Sequence, residues 1–225
     1  MKNPPSKSID KVLALFVALL VGFGFLIFSS ASLGLLARDG ASFGSVATSQ
    51  FLFGIVGGGI ALFAMSQLHY RHLRRYAFYI FLLTVLLTLA VFIPGLGMTH
   101  GGATRWISIG GFTLQPAELL KLGFIIYVAT WLSGMRDVIT DTVKGTLPFV
   151  AIVGSVGFVM LLQPDTDTFL IMGAAAMAMF VTAGGRWRDV GLMFVSAVLL
   201  LAIVAMVRPY IMDRLTTFLH PERDP

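Results

Sequence analysis

The sequence predicts an all-α, polytopic membrane protein with seven transmembrane helices. Apolar residues make up 57% of its 225 residues and charged residues only 12%, about half of the ~25% that is usual for soluble domains. Too little charge is present to cover the surface of a water-soluble globule, and long stretches carry none at all. The chain has no cysteine, which excludes a disulfide scaffold and a cysteine-ligated metal site. It also lacks the Walker A, HExxH and GxSxG motifs, so ATP-driven pumping and metalloprotease chemistry have no support in the sequence.

The first predicted span runs from Val12 to Ala37, between Lys11 and Arg38. At ~1.5 Å per residue it is longer than the ~30 Å hydrocarbon core, and it is too long for the apolar part of a signal peptide. It is therefore predicted to be an uncleaved first helix. Six further charge-poor stretches follow, at 46–68, 76–96, 115–132, 146–162, 168–183 and 190–207. Each is predicted to be a helix, because a single span in lipid has no other way to satisfy its backbone.

The basic residues predict the orientation of these spans. If the N-terminus is cytoplasmic, ten of the 16 Lys and Arg residues fall in cytoplasmic segments, as the positive-inside rule requires. Seven spans then place the C-terminus outside. The predicted organisation is a cytoplasmic polar tail at 1–10, a seven-helix membrane domain at 11–207, and the start of a truncated external loop at 208–225. The formal net charge of +5 needs no nucleic acid as partner, because anionic lipid beside the cytoplasmic loops accounts for it.

The glycine-rich connection before the fourth span carries the first group of polar candidates. Arg105 lies within this external connection, and Gln115, Glu118 and Lys121 follow at intervals of three at the start of the helix. Side chains three apart lie on neighbouring positions of one helix face. Two readings remain open. Glu118 and Lys121 form a self-neutralising structural pair, or the group lines a polar cavity in which Arg105 or Lys121 meets anionic oxygens.

A second group lies between the fifth and sixth spans. Pro164 is predicted to end the fifth helix, and Asp167 or Thr168 is predicted to cap the sixth. Asp165, directly after Gln163-Pro164, is the stronger functional candidate, because the two flanking spans are short and water reaches this depth. A divalent cation held by the two aspartates is an open alternative, although hard cations require six or more oxygen ligands.

Three segments in this order resemble the signatures of one known family. GATRWISIGGFTLQPAELLK, LLQPDTDT and RLTTFLHPERDP are similar to the NGARRWI…QPSELAK, QPDxGT and RxxxFLNPW-DP signatures of the SEDS family (shape, elongation, division and sporulation). The match is closer to the division branch than to the elongation branch. It departs at Asp167, where the family usually has Gly, and at Ala117, where Ser is common. The family fold has ten spans, of which this chain shows seven.

The resemblance implies a peptidoglycan glycosyltransferase that polymerises lipid II into glycan strands during cell division or cell-shape maintenance. It also implies a multi-pass protein of the bacterial plasma (inner) membrane. The implied partners are lipid II, a class B penicillin-binding protein and other membrane proteins of division or elongation. A lipid II flippase is the alternative, although the polar residues gather near the outer face rather than at the midplane expected of alternating access. A partner-binding scaffold is a third hypothesis.

The resemblance also implies the site residues. Asp165 matches the family's second important aspartate and is given a supporting catalytic role. Arg105 and Lys121 are expected to meet the pyrophosphate of the donor. The substrate-binding positions carried over are Arg105, Gln115, Glu118, Lys121 and Gln163. The main proposed catalytic aspartate of the family lies in a loop beyond Pro225, so this chain is expected to be inactive alone. No cofactor is assigned, and a divalent cation stays an open alternative.

Overall fold

The computed structural model describes residues 10–39, 50–100, 103–109 and 112–207. The chain divides into two units, Met1–His69 and Tyr70–Pro225. The predicted tail, apart from its last residue, and the predicted loop at 208–225 lie outside the described residues.

The described residues of the first unit, 10–39 and 50–69, form two α-helices. Helix α1 spans Lys11–Asp39, and the carboxylate of Asp10 accepts hydrogen bonds from the backbone N–H groups of Val12 and Leu13, at 3.0 and 3.1 Å. Asp10 therefore acts as the N-cap of α1. Helix α2 spans Gly58–Gln67 and is preceded by a π-helical segment at Gln50–Gly57. The second predicted span is thus helical, but it begins with the rarer i→i+5 pattern.

The described part of the second unit forms five α-helices and a small sheet. Helix α3 spans Tyr70–Leu89 and ends in a 3₁₀ turn at Ala90–Phe92. Helix α4 spans Pro116–Gly134. A π-helical turn at Thr142–Thr146 leads into α5 at Leu147–Leu162. The last two helices are α6 at Thr166–Thr182 and α7 at Trp187–Val207.

Helix α4 provides the centre of the core of this unit. Its buried side chains recur at helical spacing, so they occupy one face; they are Ala117, Leu120, Phe124, Val128 and Leu132. This face packs against α3 and α6, and α5 packs against α6. Buried residues of α5 and α6 complete the cluster, among them Phe149, Met160, Met172, Ala176 and Phe180.

The exposed surfaces of the helices are apolar. Among the described residues, five helices are long and apolar enough to cross a membrane, within α1, α3, α4, α7 and the segment Thr142–Leu162. Two more apolar helices, at Gly54–Gln67 and Thr166–Thr182, are shorter. Large hydrophobic side chains are exposed along these helices, as lipid contact requires. The chain is therefore a multi-pass membrane protein. A helix covers most of each predicted stretch, while the number of spans and their orientation stay predictions.

The all-α prediction is incomplete, because the glycine-rich connection folds into an antiparallel sheet in the order β1-β2-β3. The strands are β1 at Gly97–His100, β2 at Ala103–Ile109 and β3 at Phe112–Leu114. Strand β2 does carry the alternation that would have revealed it: Ala103 and Ile107 are buried, whereas Trp106 and Ser108 are exposed. The strand was not predicted because the glycines on both sides of it made the whole segment resemble a loop by composition.

Another acidic residue caps the turn before α5, on the opposite end of the bundle from the sheet. The carboxylate of Asp141 accepts hydrogen bonds from the N–H groups of Lys144 at 2.8 Å and Val143 at 2.9 Å. The hydrogen bond from Lys144, more than that from Val143, lowers the pKa of Asp141 below its usual 3.8. The stability that this carboxylate contributes is therefore complete above pH 3.8 and is lost as the pH falls through the lower pKa of the folded state.

We expect Asp141→Ala to lower the midpoint of thermal unfolding near neutral pH, because two N–H groups lose their acceptor. The difference from the wild type should shrink as the pH falls below about 4, where the wild-type carboxylate is itself protonated. Circular dichroism melts over this pH range measure both effects. Asp137→Ala, at an exposed acid of the same loop, is the matched control, and an equal loss in both variants would contradict the capping role.

Candidate active site

Asp165 lies at the centre of a polar cluster at the end of the bundle that carries the sheet. It occupies the N-cap position of α6, yet its side chain accepts no hydrogen bond from the first turn of that helix. Oδ2 instead accepts a hydrogen bond from Gln115 Nε2 at 3.2 Å, and Oδ1 lies 3.7 Å from Arg105 Nη1. The Asp165 carboxylate is buried, with 3% of the side chain exposed. It is therefore held by other elements and not by its own helix.

Arg105 reaches this cluster from strand β2. Its Nε donates to the carbonyl oxygen of Gln163 at 3.1 Å, and its Nη2 donates to the carbonyl oxygen of Pro164. Gln163 is the C-cap of α5, where a helix leaves its last acceptors without intrahelical partners, and Pro164 follows it in the turn to α6. Arg105 thus joins the sheet to the α5–α6 turn.

Gln163 extends the cluster to helix α3. Its Nε2 donates to the carbonyl oxygen of Thr88 at 2.6 Å, and both residues are buried. Its Oε1 is buried and has no hydrogen-bond partner among the described residues. Gln163 therefore links the cluster to α3 through its amide N–H group.

The cluster forms where three helix ends meet. Gln115, Gln163 and Asp165 occupy the N-cap of α4, the C-cap of α5 and the N-cap of α6. Neither N-cap residue, Gln115 or Asp165, makes a side-chain hydrogen bond to its own helix. A good N-cap contributes about 1 kcal/mol to a helix. Asp165 makes tertiary contacts with Gln115 and Arg105 in place of the usual N-cap hydrogen bond. Such a departure from the local preference is typical of functional positions.

Glu118 and Lys121 form the pair that the sequence predicts. Lys121 Nζ lies 2.8 Å from both Oε1 and Oε2 of Glu118. The Glu118 side chain is 55% exposed and that of Lys121 is 25% exposed, so this ion pair lies at the surface of the helix end. Glu118 lies about one helical turn after Gln115. The Glu118–Lys121 pair and the Asp165 cluster therefore lie at the same end of α4.

The predicted site residues thus fall into two groups. One hydrogen-bonded cluster contains Arg105, Gln115, Gln163 and Asp165, and the exposed pair contains Glu118 and Lys121. Sequence reasoning missed Thr88, for which the sequence holds no signal because only its backbone carbonyl takes part.

The capping prediction for the sixth span is wrong. Helix α6 begins at Thr166, so Asp167 and Thr168 lie inside its first turn and Asp165 takes the cap position. The prediction placed the start of the helix too late in the chain, and Asp165 occupies the cap position without a side-chain hydrogen bond to the first turn. The open alternative of a divalent cation finds no ligand set in the described part of the chain, where no group of three or more His, Cys, Asp and Glu residues is suited to a metal.

The fold and site define a multi-pass helical membrane protein that holds a buried ionic cluster at one end of its bundle. A family model described as "Cell cycle protein", for FtsW, RodA and SpoVE, matches residues 10–225. The chain belongs to this family, which confirms the resemblance.

Relatives with known names cover almost the whole chain. A probable peptidoglycan glycosyltransferase FtsW of Idiomarina loihiensis is 32% identical over 216 residues, which are 96% of this chain and 52% of the relative. One of a Geobacter species is 33% identical, with 96% of this chain and 59% of the relative covered. The stage V sporulation protein E of Bacillus subtilis is 31% identical, with the same two shares. The chain spans between half and three fifths of the length of these relatives.

Solved structures share the fold. The crystal structure of the rod shape determining protein RodA of Thermus thermophilus has a TM-score of 0.66 and 26% identity, and the match covers 88% of this chain and 61% of that one. A chain from a structure titled "Structural coordination of polymerization and crosslinking by a peptidoglycan synthase complex" has a TM-score of 0.71 and 26% identity, covering 97% and 61%.

Proposed function

We propose that the whole protein is a peptidoglycan glycosyltransferase that polymerises lipid II into glycan strands in cell division or cell-shape maintenance. The observation that carries the proposal is the alignment of 96% of the chain with relatives named probable peptidoglycan glycosyltransferase FtsW. The polar cluster at the sheet end of the bundle supports it, because a charged lipid carrier requires ionic groups at a membrane surface.

We propose further that the protein lies in the bacterial inner membrane as seven spans of a ten-span fold, with a cytoplasmic N-terminus and the sheet on the outer side. The excess of basic residues in the segments predicted to be cytoplasmic supports this orientation. A class B penicillin-binding protein is the proposed partner. The peptidoglycan synthase complex among the similar structures supports such a partner.

In the proposed mechanism, Lys121 neutralises the pyrophosphate that leaves the donor. Positive charge placed where negative charge develops is usually the largest contribution to catalysis. Glu118 orients the Lys121 ammonium group through their 2.8 Å contact. Asp165 has a supporting role in shaping the polar end of the bundle. The general base that activates the acceptor hydroxyl is assigned to a residue outside the described ranges.

Lys121→Gln in a full-length family member, tested with its partner, is expected to lower the rate of glycan synthesis from labelled lipid II by about 100-fold. Glu118→Gln should have a smaller effect, because the ammonium group remains. Arg136→Gln is the matched control, since Arg136 is an exposed cation just beyond the other end of α4. Equal rates for Lys121→Gln and the wild type would favour the scaffold hypothesis.

The same preparation separates polymerase from flippase. A polymerase makes glycan from lipid II in detergent, where there is no membrane to cross. A flippase moves labelled lipid II across sealed vesicles and makes no polymer. Transport without polymer would contradict the proposed function.

A further inference from the structure

We propose that Arg105 is a positioning residue and not a ligand of the substrate's phosphates. It caps the C-terminal end of α5 from a distant strand and, with Gln115, holds the carboxylate of Asp165 in place. This inference rests on the proposed function where it concerns the reaction, and on the structure alone where it concerns the fold.

The first argument is the use of the guanidinium donors. Nε and Nη2 of Arg105 donate to the carbonyl oxygens of Gln163 and Pro164, and Nη1 faces the carboxylate of Asp165. All three guanidinium nitrogens are therefore directed at groups of the protein. Three of the five N–H donors of the guanidinium are thus engaged by protein groups, so Arg105 has fewer donors left for a phosphate than an arginine that faces open solvent.

The second argument is charge. The side chain of Arg105 is 18% exposed and that of Asp165 only 3% exposed, so the two form a largely buried, neutral unit. Separating such a pair leaves an uncompensated charge in a poorly solvated place. Lys121 differs, because its partner Glu118 is 55% exposed and water can solvate that carboxylate when Lys121 turns to an anion. Of the two cations, Lys121 is the one available to a phosphate.

The third argument concerns Asp165 itself. Its side chain makes no hydrogen bond to the first turn of α6, so its orientation depends on Arg105 and Gln115. Gln115 holds Oδ2 and Arg105 faces Oδ1. Arg105 approaches from the sheet and Gln115 from α4, so the two residues hold the carboxylate from two elements. Loss of either contact leaves the carboxylate free to rotate toward its own helix.

The test compares Arg105→Lys with Lys121→Gln in a full-length family member. Lysine keeps the charge but cannot reach two carbonyls and a carboxylate together. We expect Arg105→Lys to lower the thermal midpoint by about 4–8 °C, for two lost hydrogen bonds. At temperatures where it stays folded, we expect kcat per folded molecule to fall by about tenfold or more while KM for lipid II stays unchanged. Lys121→Gln should leave the midpoint unchanged.

Three outcomes would overturn the proposal. A raised KM with an unchanged thermal midpoint in Arg105→Lys would make Arg105 a substrate ligand. A lower midpoint with normal kcat per folded molecule would reduce it to a purely structural residue. An unchanged thermal midpoint in Arg105→Lys would show that Arg105 does not cap the C-terminal end of α5. The melts are also run on this 225-residue chain in nanodiscs, and they test the contacts of Arg105 independently of activity. If the full-length wild type made no glycan, that result would contradict the proposed function and leave the test of Arg105 by melting intact.

Discussion

Asp165→Ala in a full-length family member should reduce polymerisation of lipid II by about 100-fold or more, measured per folded molecule at normal partner binding. The substitution removes the only carboxylate that the described structure places against Arg105, and it leaves Gln115 without its acceptor. Breaking a buried ion pair from one side costs about 3–5 kcal/mol, so part of the loss should appear as a lower thermal midpoint. Asp165→Asn keeps the volume and one acceptor, so it tests the charge with less damage to the fold.

The matched control for this prediction is Asp189→Asn, at an aspartate that is as deeply buried as Asp165. Its carboxylate accepts a hydrogen bond from the Thr146 hydroxyl at 2.8 Å and lies 3.6 Å from Arg188 Nε. We expect Asp189→Asn to lower stability while activity per folded molecule stays normal. Unchanged polymerisation in Asp165→Ala, with this control behaving as expected, would refute a role for Asp165 in the reaction.

The helices could be read from the sequence, because the bilayer requires long charge-free stretches and leaves the backbone no other solution. The ends of the helices could be predicted less accurately than the helices themselves. The π-helical segments at Gln50–Gly57 and Thr142–Thr146 have no sequence pattern that separates them from an α-helical turn. The sheet at 97–114 was missed for a different reason, since short strands among glycines resemble a loop by composition.

The members of the site could be predicted, but their contacts could not. Arg105 was singled out as a cation of the external glycine-rich connection, and Asp165 because the two spans beside it are short. The pairing of Glu118 with Lys121 could be predicted as well, because residues three apart on a helix are neighbours. The contact between Arg105 and Asp165 joins a strand to a helix end 60 residues away in the printed sequence, and such a pairing depends on the packing of the intervening helices. The expectation that Arg105 meets phosphate took account of its charge alone, and the carbonyls that face it in the structure are the ground for the positioning role proposed above.

Gly123→Val should lower the free energy of unfolding by about 1–3 kcal/mol, although it lies away from the polar cluster. A Cβ atom at Gly123 would overlap Thr84 Oγ1 and would lie 3.2 Å from Thr84 Cγ2. Thr84 has no room to move away, because it is buried and its hydroxyl donates to the carbonyl oxygen of Phe81 at 2.9 Å. The valine would therefore force α3 and α4 apart.

Gly154→Val separates this clash from the general cost of valine in a helix. Gly154 also lies inside a helix, but a Cβ atom there would meet nothing within 4 Å. We expect its thermal midpoint in detergent to change little, while that of Gly123→Val falls clearly. Equal shifts would show that α3 and α4 do not depend on close contact. Thr88 lies one turn beyond Thr84, and its carbonyl oxygen accepts the hydrogen bond from Gln163. Moving α3 away from α4 should therefore also weaken the polar cluster. Gly123→Val should lower activity per folded molecule, whereas Gly154→Val should not.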